Sequence, residues 1–159
     1  MKRLISLWMA SFVLLSALSG IASAAPTITL NVYNWGEYIS DGSEGSLDVN
    51  AAFEEYHFKK TGQRVRVNYT TYASNEDMYN KLSSGAATYD IVVPSDYMIQ
   101  RMIAEDMLRP LDYTNIPNFR YIDPDYTELY YDPENLYSVP YTYGMVGIIY
   151  NTTMVDEED

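Results

Sequence analysis

The sequence contains no cysteine and only one histidine, His57. Without cysteine there is no disulfide, no thiolate zinc site and no cysteine nucleophile, and we expect no lipid anchor on the mature amino terminus. One histidine cannot build a multi-histidine zinc site. His57 follows the apolar positions of a predicted helix, so we expect it to be half-buried packing. We therefore predict no metal site.

Basic residues are also scarce, since 10 Lys and Arg stand against 22 Asp and Glu, for a formal net charge of −12. Nucleic acids and anionic membranes call for a basic surface, so neither is an expected partner. Cations are the complementary ligands, and the 17 tyrosines supply rings whose faces attract a cation. Alternatively, an acidic, tyrosine-rich surface merely keeps a secreted protein soluble.

No apolar run reaches the roughly 20 residues of a transmembrane helix, and the longest one lies at the amino terminus. Lys2 and Arg3 precede an uncharged, largely apolar run over 4–18, and small residues follow it. This order is typical of a secretory signal peptide. We expect residues 1–24 to be removed, which places the mature protein outside the cytoplasmic membrane.

The apolar periodicity of the remaining chain alternates between that of strands and that of helices. Strands are predicted over 28–34, 65–71 and 89–93, each followed by a helical pattern. The order β-α-β-α-β-α predicts an α/β fold, with a parallel sheet and helices on its faces. About 135 residues support one core at most.

Local signals predict where these helices lie. Val49, Ala52, Phe53 and Tyr56 are spaced as one face of an amphipathic helix, and Gly62 is suited to its left-handed cap. Ser74 and Ser95 stand where the N-caps of the next two helices are expected. The apolar stripe of the first of these helices is predicted at 78 and 82, and that of the second at 98, 99, 102 and 103. After Arg109 the signals are those of turns, with a short helix over 125–130 and a last strand over 145–150.

Candidate binding residues follow each predicted strand. They lie in the segments Trp35-Gly36-Glu37-Tyr38, Tyr72-Ala73-Ser74-Asn75 and Pro94-Ser95-Asp96-Tyr97. Ligands of open parallel sheets bind at the carboxyl ends of the strands. Aromatic rings and oxygen atoms at this edge favour an organic cation, which is held by charge neutralisation and ring stacking.

Each candidate also has a purely structural interpretation. Trp35 covers the end of the sheet, Glu37 is a solvated loop charge, and Ser95 is a helix cap. Asp96 is favoured by the dipole of the helix it begins, and Tyr97 is a core aromatic.

The same segments, in register with Asp123-Pro124, Asp132-Pro133 and Ser138-Val139-Pro140-Tyr141, resemble the spermidine/putrescine-binding proteins of bacterial ABC transporters. The resemblance implies a type II periplasmic-binding-protein fold of two lobes, which closes over a polyamine and delivers it to a membrane permease. It also implies that Trp35 stacks on the polymethylene chain and Glu37 pairs with an ammonium group. The remaining pocket residues that it implies are Tyr38, Ser95 and Tyr97, and we add Asp96 between them.

Two features depart from the family pattern: Gly36 replaces a frequent hydroxyl residue, and the loop over 40–46 is longer than usual. Family members are also roughly twice as long. We therefore expect residues 25–140 to form an incomplete first lobe and 141–159 to begin the crossover into a second lobe. Such a fragment, expected to be monomeric, should bind polyamine weakly or not at all by itself.

The same residues are compatible with other functions. Tyrosines can bind ferric iron, and aromatic rings can stack on an oligosaccharide. Glu37 and Asp96 are the paired carboxylates that a secreted hydrolase would use, and a fragment without function is a further alternative. Catalysis is not expected, because Gly-x-Ser-x-Gly, Walker and dinucleotide glycine motifs are all missing, and the last two absences leave no predicted cofactor.

Overall fold

The computed structural model describes residues 25–155, and the predicted signal peptide lies outside this range. None of the helices within it is long and apolar enough to cross a membrane.

Three parallel strands form one sheet in the order β2-β1-β3. The strands are β1 (Ile28–Trp35), β2 (Val65–Tyr72) and β3 (Ile91–Val92). The helices are α1 (Val49–Thr61), α2 (Asn75–Ser83) and α3 (Asp96–Ala104). The predicted α/β order with a parallel sheet and flanking helices is confirmed.

The expected helix ends are present. Gly62 follows α1 with φ of 73°, a left-handed conformation that costs a glycine little. The hydroxyl of Ser74 accepts a hydrogen bond from the backbone N–H of Asp77 (3.1 Å), as an N-cap does. β3 is shorter than predicted, but its pairing continues on each side, because Asp90 N–H donates to Asn31 O and Val93 N–H donates to Tyr33 O.

The core lies between one face of the sheet and the helices α2 and α3. Tyr33 and Tyr72 come from β1 and β2, while Met78 belongs to α2 and Met98 and Met102 to α3. The three methionines are at most 1% exposed. The stripes predicted on α2 and α3 are therefore confirmed as core positions.

The stripe predicted on α1 is not buried. Val49, Phe53 and Tyr56 are 38%, 39% and 58% exposed. Instead, Glu54 and His57 are half-buried: the Glu54 carboxylate accepts from Val67 N–H (2.7 Å), and His57 Nδ1 lies 2.9 Å from Gln63 O. Because β2 is an edge strand, its free backbone amide attracts a polar helix face. The prediction that His57 is half-buried packing is confirmed.

After α3 the chain runs through three 3-10 turns, Tyr113–Asn115, Pro117–Tyr121 and Pro124–Tyr126. The last of these replaces the short helix predicted over 125–130. The strand predicted over 145–150 is wrong. A strand needs a hydrogen-bonded neighbour, and within 25–155 no segment pairs with this one, whose Val146 and Ile149 are fully exposed.

A buried carboxylate organises the loop that follows the last turn. Asp132 is 3% exposed and accepts four hydrogen bonds of 2.8–3.0 Å, from the backbone N–H groups of Leu136, Tyr137 and Ser138 and from the Ser138 hydroxyl. A buried carboxylate is tolerated where its oxygens are satisfied in this way. Asp132 therefore ties residues 136–138 of this loop together.

Candidate functional site

The carboxyl ends of the three strands are tied together by aromatic side chains. Trp35 and Tyr72 are register partners at the ends of β1 and β2, and their ring centroids lie 4.7 Å apart at 55°. The Tyr72 hydroxyl donates to the carbonyl of Val93, directly after β3. The prediction that these segments share one edge of the sheet is confirmed.

Trp35 both covers the end of the sheet and remains accessible. Trp35 is half-buried, because Tyr72 packs against its ring. Its backbone N–H donates to the side chain of Asn34 (2.7 Å), which is 3% exposed. Tyr38, whose ring centroid is 6.1 Å from that of Trp35, is 44% exposed. Two rings therefore border the solvent at this edge.

Glu37 and Tyr38 line a wide, open cavity of about 720 Å³, whose lining does not include Trp35. The cavity is lined by residues 37–40, Val49, Tyr141 and Thr142. The Tyr141 hydroxyl donates to the carbonyl of Tyr38 and so closes one side. Glu37 is exposed, and no donor within 25–155 hydrogen-bonds to its carboxylate. Among the described residues it therefore has no hydrogen-bond partner that would compete with a ligand at the rim of the cavity.

Ser95 and Tyr97 are held by one buried side chain, Asn75, which is 4% exposed. The Asn75 amide nitrogen donates to the Ser95 hydroxyl (3.0 Å) and to the Tyr97 hydroxyl (2.9 Å). The Asn75 amide oxygen accepts from Ser95 N–H (3.1 Å). Ser95 stands at the N-cap position of α3, but its hydroxyl does not cap the helix. The side-chain cap predicted there is wrong, because Asn75 binds that hydroxyl instead.

The interpretation of Tyr97 as a core residue is also wrong, since Tyr97 is 48% exposed. Asp96 is exposed as well, and its carboxylate accepts from the Tyr130 hydroxyl (2.8 Å) and from Tyr97 N–H (2.7 Å). The hydrogen bond to Asp96 raises the pKa of Tyr130. Asp96 thus joins the site to the loop after the last turn.

Tyr72 is the neutral centre of this aromatic edge. Burial raises its pKa well above the ordinary value, and the neighbouring phenols of Tyr33, Tyr38, Tyr69 and Tyr97 raise it further. Tyr72 therefore stays protonated at neutral pH and remains a donor to the sheet. Burial also raises the pKa of Tyr69, whose hydroxyl is shielded from solvent and has no hydrogen-bond partner among residues 25–155.

The arrangement is suited to a ligand with positive charge and an apolar stem. Rings offer stacking and cation–π contact, and Glu37 offers an ion pair. No group of three or more His, Asp or Glu within residues 25–155 is placed to hold a metal ion. Glu37 lines the open cavity, whereas Asp96 lies outside that lining and accepts from Tyr130.

Three contributors were missed from the sequence as site residues. Asn75 stands in a candidate segment, directly after the predicted N-cap Ser74. That position, just after the end of β2, was the sequence feature that could have marked it as a site residue. Tyr130 and Tyr141 reach the site from 34 and 103 residues along the chain. No local pattern marks contacts of that separation.

The chain is similar in sequence to known bacterial solute-binding proteins. Residues 50–159 match the family model described as bacterial extracellular solute-binding protein. A spermidine/putrescine-binding periplasmic protein of Salmonella typhimurium is 38% identical over 136 residues, which are 85% of this chain and 36% of the relative. A putrescine-binding periplasmic protein of Escherichia coli is 35% identical over 143 residues, covering 89% and 35%.

Among solved structures, a spermidine/putrescine ABC transporter substrate-binding protein of Streptococcus pneumoniae is similar, with a TM-score of 0.65 and 42% identity. The match covers 82% of this chain and 36% of that one. The chain thus spans about a third of the length of the relatives it matches.

Proposed function

The chain belongs to the family of bacterial extracellular solute-binding proteins, and we propose that it supplies one wall of a polyamine-binding cleft. In this proposal the protein is the extracytoplasmic binding component of an ABC transporter, and it captures spermidine or putrescine for a membrane permease. The names of the relatives in Salmonella and Escherichia support this choice of ligand.

The observation that carries the proposal is the edge of the sheet where the rings of Trp35 and Tyr38 lie 6.1 Å apart and where Glu37 lines the adjoining cavity together with Tyr38. A polyamine is a flexible apolar chain that ends in ammonium groups. Its methylenes can pack against the accessible rings, and an ammonium group can form an ion pair with the Glu37 carboxylate. An acidic chain, with a net charge of −12, also attracts such a cation over a distance.

The strength of this wall follows from its exposure. Glu37 is exposed and Tyr38 and Tyr97 are about half exposed, and exposed ion pairs are worth only about 0–1 kcal/mol. We therefore expect the chain alone to bind spermidine with a dissociation constant on the order of millimolar. Micromolar or tighter binding would contradict this single-wall account.

The proposed organisation has a signal peptide over 1–24, most of a first lobe over 25–140 and the start of a crossover over 141–159. The exposed apolar side chains of residues 145–149 and the one-third match to the relatives support it. The relatives are periplasmic binding proteins, which supports an extracytoplasmic location and a binding role rather than a catalytic one.

The proposal can be tested by the fluorescence of Trp35. The chain has two tryptophans, Trp8 and Trp35, so a Trp8→Phe background leaves one reporter within the proposed site. Putrescine should change its emission, whereas butanediol, the uncharged diol analogue, should not. Added salt should weaken the putrescine response.

A charge-matched pair of variants completes the test. Glu37→Gln should reduce the putrescine response several-fold, because it removes the paired charge. Glu134→Gln removes the same charge from an exposed position on the loop after the last turn, and it should leave the response unchanged. Equal responses to putrescine and butanediol would refute the proposal.

A further inference from the structure

The orientation of the buried Asn75 amide is fixed by its backbone partner. A backbone N–H can only donate, so the Asn75 atom 3.1 Å from Ser95 N must be the amide oxygen. The amide nitrogen then points at the hydroxyls of Ser95 and Tyr97. Both hydroxyl oxygens are therefore acceptors of Asn75 hydrogens.

The proton of the Tyr97 hydroxyl is donated to one defined acceptor. Glu76, the next residue of α2, places a carboxylate oxygen 3.0 Å from the Tyr97 oxygen. An ionised carboxylate only accepts hydrogen bonds, so Tyr97 donates to Glu76 while it accepts from Asn75. A phenol has one proton and two acceptor positions, and one acceptor position is left.

We propose that Asn75 and Glu76 are positioning residues that set the hydrogen-bond polarity of Tyr97, and through it the class of ligand. Because the Tyr97 proton is committed to Glu76, the hydroxyl oxygen of the half-exposed Tyr97 can only accept from a third partner. This part of the wall then favours organic cations that carry N–H groups. It disfavours ligands that present only acceptors there, such as carboxylates or phosphates. The inference rests on the proposed polyamine function and names the source of its selectivity.

An alternative role for Glu76 is simple charge, since it begins α2 next to Asp77. The two acids share a helix turn, are both exposed, and contribute alike to the helix dipole and to the attraction of a cation. Only Glu76 accepts from Tyr97; Asp77 is bound to Ser74 through its backbone N–H. Asp77→Ala is therefore a matched control for Glu76→Ala.

The experiment uses NMR on the full chain with isotope label at the tyrosine Cζ atoms, and the Tyr97 resonance is assigned from its loss in Tyr97→Phe. Without ligand, Glu76→Ala should shift the Tyr97 resonance and Asp77→Ala should not. Spermidine is then titrated at constant ionic strength. The initial slope of the shift against concentration measures relative affinity even when binding is weak.

In Glu76→Ala the affinity for spermidine should fall about tenfold, which is the size expected for one hydrogen bond to a charged partner. Asp77→Ala should stay within about threefold of the wild type, as expected for an exposed charge. Glu76→Gln should also stay within about threefold, because the amide oxygen can still accept the Tyr97 proton. Retained affinity in Glu76→Gln would show that Glu76 acts by accepting the Tyr97 proton and not by its negative charge.

Three results would overturn the inference. The first is equal loss of affinity in Glu76→Ala and Asp77→Ala, and the second is equal loss in Glu76→Gln and Glu76→Ala. The third is an unchanged Tyr97 resonance in ligand-free Glu76→Ala. If spermidine changed no tyrosine Cζ resonance of the wild-type chain, the proposed function would be refuted, and the inference with it.

Discussion

Removal of the Tyr72 hydroxyl tests whether the three strand ends form one rigid platform. Tyr72 is 7% exposed, and its hydroxyl donates to the carbonyl of Val93. Tyr72→Phe keeps the ring packed against Trp35 and Tyr33 and deletes only this hydrogen bond. The variant thus isolates the link between β2 and β3.

The expected cost follows from the partner that is left behind. Val93 is half-buried, and an unsatisfied buried acceptor costs about 1–3 kcal/mol. Partial access to water lowers this to about 1–2 kcal/mol in the free energy of unfolding. With a urea m-value of about 2 kcal/mol per M, the unfolding midpoint should fall by roughly 0.5–1 M.

Urea unfolding monitored by circular dichroism measures this shift. Tyr121→Phe is the matched control, because Tyr121 is 72% exposed and, within 25–155, its hydroxyl accepts only from the guanidinium of its exposed neighbour Arg120 (2.8 Å). We expect that control to change the free energy of unfolding by less than about 0.5 kcal/mol. If Tyr72→Phe were as mild as Tyr121→Phe, the hydroxyl link would not hold the platform together.

Three further outcomes are expected. Because the pKa of Tyr72 is raised in the folded state, the unfolded chain loses its proton first, and stability should fall above about pH 10 by up to ~1.4 kcal/mol per pH unit. Tyr72→Phe should reduce that slope, as alkaline unfolding would show, and an unchanged slope would contradict the assignment. Asp132→Asn places an amide among four donors and should destabilise the protein by about 2–4 kcal/mol in urea, against no change for Glu134→Gln. Gly62→Ala, at φ of 73°, should cost about 1 kcal/mol in the same assay, and a neutral effect would argue against the left-handed cap.

The sequence was most informative where local chemistry decides the structure. Ser74 begins α2 and Gly62 ends α1 as predicted, because a cap depends only on residues within one turn. The apolar spacing of Met78, Met98 and Met102 located the core, since both helices pack on the same face of the sheet. The candidate segments were placed correctly at one edge because parallel strands end together.

The sequence was least informative where partners come from elsewhere in the chain. The apolar stripe of α1 remains exposed because Glu54 and His57 form hydrogen bonds near the edge of the sheet. The Ser95 hydroxyl does not cap α3 as predicted, because it accepts from Asn75, 20 residues away. The apolar run over 145–150 has strand composition but no neighbour among residues 25–155, and composition alone cannot supply one.

The central claim is that the edge formed by Trp35, Glu37, Tyr38, Ser95 and Tyr97 receives a polyamine. Amide-resolved NMR of the chain during a spermidine titration at constant ionic strength tests it most directly. The claim predicts shift changes concentrated at residues 35–38 and 95–97, with saturation in the millimolar range. Shifts spread evenly over the acidic surface, or absent from these two segments, would contradict it.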